Sequence, residues 1–287
     1  MKTIRLLYPD HVSGGLSTYY LGAKLLACML PDNPAQPWVK VEIPAPDGVK
    51  PVVKAGIAGL DAVLGGIRAA QQVIAAHAPE RIITVGGTCL VSLACFDYLH
   101  GLYPDAGIIW IDAHPDVSTP ADGYPCAHAM VLGTLLGRGA APLAGTLKNG
   151  AMAPERLMYV GLQGVLDYQK KTLEELGVNY RVQSPDAEPF AASEEVAAFA
   201  GRFKHVFVHF DIDVLDPSHF HSTYFANPEL TGDGSGGGRM RIAEVENILA
   251  AVAAASSIAG LTIAEYLPFD EERLAGLFAG LGVLTEE

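Results

Sequence analysis

Short apolar runs separated by helical stretches are the feature that most constrains what this sequence can fold into. The runs are TIRLLY (3–8), VKVEI (39–43), RIITV (81–85), GIIWI (107–111), LMYVG (157–161), VNYRV (178–182), HVFVHF (205–210) and LTIAEY (261–266). Most are near-continuous in apolar residues, the pattern of strands covered by helices on both faces. Between them AGIAGLDAVLGGIRAAQQVIAAHA (55–78), VSLACFDYLHGLY (91–103), AHAMVLGTLLG (127–137), SEEVAAFAGRF (193–203) and IAEVENILAAVAAAS (242–256) read as helices. The alternation predicts a doubly wound α/β fold on a parallel sheet of about eight strands. A closed (β/α)8 barrel gives the same alternation, so the pattern leaves the topology open. No linker composition breaks the chain, and one domain over residues 1–287 is expected.

The charge balance narrows the function. A formal net charge of −13 without a basic block argues against a nucleic-acid partner and favours metals or a cationic small-molecule substrate. No apolar segment is long enough to span a membrane, and MKTIRLLYPDHVSGG lacks the apolar core of a secretion signal. No membrane partner and a cytoplasmic location are expected. Cys28, Cys89, Cys95 and Cys126 are too few for a disulfide framework in a chain of this length. Cys28 and Cys95 fall in helical apolar patterns and read as core thiols.

Two strands carry the chemistry. GIIWIDAHPDVSTP runs from apolar residues straight into Asp112, His114 and Asp116, and alternate residues of an extended chain point the same way. HVFVHFDIDVLDP repeats the arrangement with Asp211 and Asp213, and Asp216-Pro217 closes the turn. Carboxylates gathered in a cleft repel one another unless cations relieve them. Oxygen donors with one imidazole suit a hard to borderline ion such as Mn²⁺. Four carboxylates exceed what one ion needs and fit a pair about 3.5–4 Å apart. His219 and His221 form an HxH just after the Asp pair and read as pocket lining. ELTGDGSGGGRM (229–240) reads as a flexible loop before a helix, or a lid. Glu265 ends an apolar strand, an unusual place for an acid without a partner. His128 opens its helical stretch, which leaves both a core histidine and a catalytic one open.

DAHPD at 112–116, FDIDVLDP at 210–217, CAHAMVLGTLLG at 126–137 and LTIAEYLPFD at 261–270 together resemble the ureohydrolase (arginase/agmatinase) superfamily. The resemblance implies a three-layer α/β/α fold with an eight-stranded parallel sheet, a dinuclear manganese site and a homo-oligomer, trimeric or hexameric. It implies that Asp112 and Asp211 bridge the ions, that Asp116 completes one, and that His114 and Asp213 complete the other. It makes His128 the proton shuttle and Glu265 the acid that holds a guanidinium. It implies hydrolysis of a C–N bond in a guanidino, N-hydroxyguanidino or formimino compound.

The departures shape the expectation. The family segment GGDH reads Gly86-Gly87-Thr88-Cys89, so Cys89 stands where the family has its first histidine ligand. The leading serine of the family's SxDxDxxDP is absent. Gln163, Gly164 and Leu166 replace the arginine and acids of the segment that meets the α-amino group of arginine. Ser118 replaces an asparagine that helps hold the amino-acid end, which leaves it as a substrate contact. L-arginine is therefore not the expected substrate. Cys89 reads as a thiolate ligand that opens the site to Zn²⁺, Ni²⁺ or Co²⁺, as a core filler beside a weak or empty first site, or as a nucleophile. The alternatives to a dinuclear hydrolase are a silent or mononuclear relative that binds a ligand, and a zinc deacylase of the same fold.

Overall fold

The computed structural model describes residues 1–183, 193–230 and 234–279. Its strands are β1 (Thr3–Tyr8), β2 (Trp38–Lys40), β3 (Val53–Lys54), β4 (Ile57–Ala58), β5 (Arg81–Gly86), β6 (Gly107–Ile111), β7 (Leu157–Val160), β8 (His205–Asp211) and β9 (Ser257–Ala264). β3 and β4 form a small antiparallel hairpin. The others form an open sheet of seven strands, parallel throughout, in the order β2-β1-β5-β9-β8-β6-β7. The open edges at β2 and β7 exclude the barrel.

Alternate strand residues supply two cores, one on each face. Ile108 and Trp110 of β6 and Phe207 of β8 pack with α2 (Leu60–His77), α3 (Ser92–Leu102) and α4 (Val131–Leu135). Ile109, Ile111, Val206 and Val208 pack on the opposite side with residues of α1 (Thr18–Met29), α7 (Ser193–Ala200) and α8 (Ile242–Ala255). This is the expected three-layer α/β/α arrangement. A single turn, α5 (Ala141–Ala144), and the helices α6 (Asp167–Glu175) and α9 (Phe269–Ala279) complete the elements.

Four local expectations are corrected. The run at 178–182 is not a strand, so the sheet has seven strands among the described residues rather than eight. Gly177, at φ +68°, ends α6, and the Val178 amide turns back to Leu173 O. Gln183 N–H then makes a lone backbone bond to Leu162 O beyond the end of β7. The helix expected from 55 begins at Leu60, because Gly56 and Gly59 take φ of +75° and +62° to turn the β3–β4 hairpin into it. The helix expected over 127–137 divides into a 3-10 turn, Ala127–Met130, and α4; the Gly133 amide bonds Asp116 O and Ala129 O accepts the Ser118 amide, which takes that pair out of the helical ladder. Cys95 is buried as expected, but Cys28 is exposed, because α1 buries the face that carries Tyr19, Ala23 and Leu26.

The loop that carries Cys89 is anchored where β1 and β5 end. The Gly87 amide bonds Tyr8 O, and Gly87 O accepts the Glu265 amide at 2.8 Å. Buried Asp10 accepts hydrogen bonds from Ser13 Oγ and from Thr88 Oγ1. A Cβ at Gly87 would lie 1.7 Å from Asp10 O, so only glycine lets the two loops approach. A Cβ at Gly65, on the exposed face of α2, would meet nothing within 4 Å. We expect Gly87→Ala to destabilise the protein by about 1–3 kcal/mol in urea unfolding. Gly65→Ala should stabilise it by about 0.5–1 kcal/mol. A neutral Gly87→Ala would contradict the close approach.

Candidate functional site

β5, β9, β8 and β6 end side by side, and their register aligns the residues that follow. Ile111 sits beside Phe210, and Asp211 beside Ala264. Asp112, Asp211 and Glu265 therefore leave neighbouring strands at one level, facing the α2–α3–α4 layer. In open α/β sheets this carboxyl end is where ligands bind. A cavity of about 200 Å³ opens there. Cys89, His114, Asp116, His128, Asp211, Asp213 and Glu265 line its floor, with Ser118 among the other lining residues. Tyr19, Tyr124, Tyr168, Tyr224 and Phe225 also line it. Asp112 lies beneath, fully buried.

The hydrogen bonds hold each carboxylate in a fixed pose. Asp112 accepts the His114 amide on Oδ1 at 2.6 Å and the Trp110 indole N–H on Oδ2 at 2.9 Å. His114 Nδ1 stands 3.0 Å from Asp213 Oδ2 and 3.6 Å from Asp112 Oδ1, and its Nε2 faces Gly236 O at 3.1 Å. Asp211 accepts the Asp213 amide on Oδ1 and the Cys89 thiol on Oδ2 at 2.9 Å. Glu265 Oε1 accepts the Cys89 amide at 3.2 Å and meets His128 Nδ1 at 3.0 Å, while Tyr124 Oη reaches His128 Nε2 at 3.1 Å. Asp116 and Glu265 take φ of +51° and +65°. Side chains rarely adopt that region, and such strain collects at functional sites.

The electrostatics reflect crowded negative charge. Burial, then Asp116 and Asp213, raise Asp112 well above the carboxylate range, and burial with Asp213 and Asp112 does the same to Asp211. Burial lifts Asp116 to about 7 although His128 and His114 oppose it. Burial would lower His114, but Asp213 foremost, then Asp112 and Asp116, raise it to about 10. Burial likewise opposes charge on His128, and Tyr124 and Glu265 outweigh it. Burial and the surrounding carboxylates push the Cys89 thiol far up, so without a cation it is a neutral donor to Asp211 and no nucleophile.

The donor set fits divalent cations. Ligand-type atoms of Asp112, His114 and Asp213 lie within 4.8 Å of one another, as do those of Cys89, Asp112, Asp116 and His209. Cys89, His128 and Glu265 form a third group. Asp116 Oδ2, Asp213 Oδ1 and His209 Nε2 are buried without a hydrogen-bond partner among the described residues. Buried polar atoms seldom lack one, and cations would satisfy all three.

The structure thus brings Cys89, Asp112, His114, Asp116, Ser118, His128, Asp211, Asp213 and Glu265 to one cleft. Ser118 Oγ lies 3.3 Å from Tyr168 Oη. His219 and His221 are corrected: neither lines the cavity, and His219 pairs instead with Asp216 at its own turn. Gln163 turns its amide to Gly161 O and Gln183 Oε1. In the loop expected over 229–240, residues 231–233 lie outside the described residues; Ser235 lines the cleft, and α8 follows from Ile242. Sequence reasoning missed His209 and the aromatic wall. His209 was detectable, since it shares a strand face with Asp211; the wall comes from separate loops with no common spacing.

Residues 53–285 match the sequence profile described as the Arginase family. An arginase of Eremothecium gossypii is 28% identical over 158 residues, 52% of this chain and 39% of that protein. An agmatinase of Halalkalibacterium halodurans is 33% identical over 136 residues, 47% of this chain and 41% of that protein. In both the match spans less than half of the relative's length. The arginase of Entamoeba histolytica in complex with L-ornithine has the same fold, with a TM-score of 0.74 at 18% identity, covering 96% of this chain and 94% of that one.

The protonation pattern makes a sign-definite expectation for the protein freed of metal by a chelator. His114, ordinarily near 6.5 and about 10 here, and Asp116, ordinarily 3.8 and about 7 here, both hold protons in the folded state that the unfolded chain has released. Stability must then fall as pH rises through that window. His209, pushed down to about 3 by burial, has the opposite effect, but only below its ordinary 6.5. The melting temperature should therefore decline steadily from pH 6.5 towards 10. A rise across that range would contradict the carboxylate crowding.

Proposed function

This chain belongs to the arginase family, and on that premise we propose that it is a metal-dependent hydrolase of a C–N bond in a guanidino, N-hydroxyguanidino or formimino compound. The observation that carries the reading is the pair of ligand groups, Asp112–His114–Asp213 and Cys89–Asp112–Asp116–His209, joined through the two oxygens of Asp112. Cys89, Asp112, Asp116, Asp211, His114 and Asp213 would hold two divalent ions, with Asp112 and Asp211 shared. When bound, such ions supply Lewis-acid activation of water at neutral pH.

The remaining roles belong to the chain's own residues. Glu265 accepts hydrogen bonds from the cationic nitrogens of the substrate, and its fixed pose on the Cys89 amide keeps the substrate carbon over the carboxylate floor. His128, held between Glu265 and Tyr124, carries a proton to the leaving amine. Tyr19, Tyr124, Tyr168, Tyr224 and Phe225 exclude water and suit a planar cation through their ring faces. Ser118 and Tyr168 form a neutral polar spot for the far end of the substrate. The amide of Gln163 is committed to its own neighbours, which supports a substrate other than L-arginine. We extend the proposal to a homo-oligomer, supported by the exposed Leu274, Leu277 and Phe278 of α9. Among the described residues no helix is long and apolar enough to cross a membrane.

The test is a panel of guanidino, N-hydroxyguanidino, formimino and acyl-amine compounds with Mn²⁺, Co²⁺, Ni²⁺ and Zn²⁺, read by release of urea, formamide and amine. One amidino class should turn over, and L-arginine should stay below a kcat/KM of about 10⁴ M⁻¹s⁻¹. Release of carboxylate from the acyl-amines alone would favour a deacylase, and no turnover would favour a silent relative. Asp112→Ala should lose bound metal and about 10²-fold or more of the activity together. Asp216→Ala, whose carboxylate serves Ser218 and His219 at the surface turn, should keep its metal. Full metal content in Asp112→Ala, measured by elemental analysis, would refute the shared-ligand role.

A further inference from the structure

Buried beneath the floor of the cleft, His209 belongs to one of the two ligand groups but not to the six residues assigned to the ions. It precedes Asp211 by two on β8, so both side chains face the α2–α3–α4 layer. Its ring is fully buried and stacks on Trp110 with centroids 3.8 Å apart and planes 17° from parallel. Ser92 Oγ lies 2.9 Å from Nδ1. When the serine accepts there, the proton sits on Nδ1 and the lone pair is left on Nε2, the nitrogen on the side of Asp112. Among the described residues Nε2 has no hydrogen-bond partner. Asp112 Oδ2, at 3.8 Å, is too far to be one. That separation is instead close to the edge of a coordination tetrahedron, roughly 3.4 Å for donors at about 2.1 Å from an ion. Cys89, Asp112 and Asp116 each present a donor atom there, all within 4.8 Å of one another and of a ring nitrogen of His209. Asp116 Oδ2 is itself buried and without a partner.

We propose that His209 is a metal ligand, its Nε2 completing with Cys89 Sγ and the Asp112 and Asp116 carboxylates a four-donor site that prefers Zn²⁺ or Co²⁺ to Mn²⁺. One sulfur, one imidazole and two carboxylates make a softer set than oxygen with imidazole alone, which is the physical ground of the preference. Binding displaces the thiol proton of Cys89 to solvent and turns Sγ from Asp211 towards the ion. Both 89 and 209 are positions at which this sequence departs from the arginase pattern, and in the fold they meet. An imidazole absent from the loop after β5 is replaced by one that rises from β8. The inference rests on the cleft holding ions, as in the proposed function.

The test uses the full chain, stripped by chelator and titrated with Co²⁺. Wild type should take two ions per chain and develop a sulfur-to-cobalt charge-transfer band. His209→Ser should bind one of the two at least tenfold more weakly, and so should His209→Phe, which fills the space beside Trp110. X-ray absorption of the zinc-loaded protein should count two imidazoles over two ions in wild type and one in either variant. Melting temperatures with and without metal separate packing from ligation, because lost ligation lowers the metal-induced rise and leaves the metal-free variant as stable as metal-free wild type. Cys89→His combined with His209→Ser should regain two ions and shift preference towards Mn²⁺. Two ions of wild-type affinity in both single variants would overturn the proposal and assign His209 to packing, as would a wild type that binds no ion. If the ions behave as stated but no amidino compound is turned over, the ligand stands and the hydrolase reading falls. Turnover by variants that retain both ions gives the converse.

Discussion

Crowding of buried carboxylates is the constraint on which the rest of the structure turns. The parallel register between β6 and β8 puts Asp112 and Asp211 on adjacent strand ends, and Asp116, Asp213 and Glu265 close around them. Two charges 4 Å apart repel by about 4 kcal/mol at an effective dielectric of 20, so the cluster cannot be fully ionised without compensation. The fold answers in part with protons: it raises Asp112, Asp116 and Asp211 and holds His114 charged against Asp213. Cations would do the same and would free those protons, which couples ion binding to pH.

Holding like charges together requires a scaffold that does not relax. The sheet supplies it, because Asp112, Asp211 and Glu265 end or directly follow strands whose backbones are paired on both sides. Loops do the rest. Asp10 clamps Ser13 and Thr88, Gly87 lets β1 and β5 loops touch, and the Glu265 amide is tied to Gly87 O. Asp116 and Glu265 are held in left-handed backbone conformations that a free loop would leave.

How far the sequence could be read depended on the range of the interaction concerned. The apolar runs of β1, β5, β6, β8 and β9 stood out because a strand buried on both faces must be apolar along its length. VNYRV misled because its composition suits a strand, while Gly177 had already turned the chain away from the sheet. The 127–137 segment misled because Asp116 O and the Ser118 amide, outside the segment, take up the Gly133 amide and Ala129 O that the helical ladder would have joined. His219 and His221 read as pocket lining, but neither lines the cleft, and His219 pairs with Asp216 at its own turn. His209 was missed because a histidine in an apolar strand reads as filling, although the strand period sets it on the same face as Asp211.

The sequence by itself determined the α/β class, the parallel strands, the acids at strand ends and a cysteine in a loop beyond one of them. These follow from local periodicity, which each segment carries alone. Only the tertiary structure decided that β9 and β8 insert between β5 and β6. That order brings the Cys89 thiol to Asp211, 122 residues away, and His128 to Glu265, 137 residues away. It also turns the free nitrogen of His209 towards Asp112. Strand order is set by which apolar faces and helices pack together, a sum over contacts that no single segment encodes, and so the meeting of these side chains is a property of the fold.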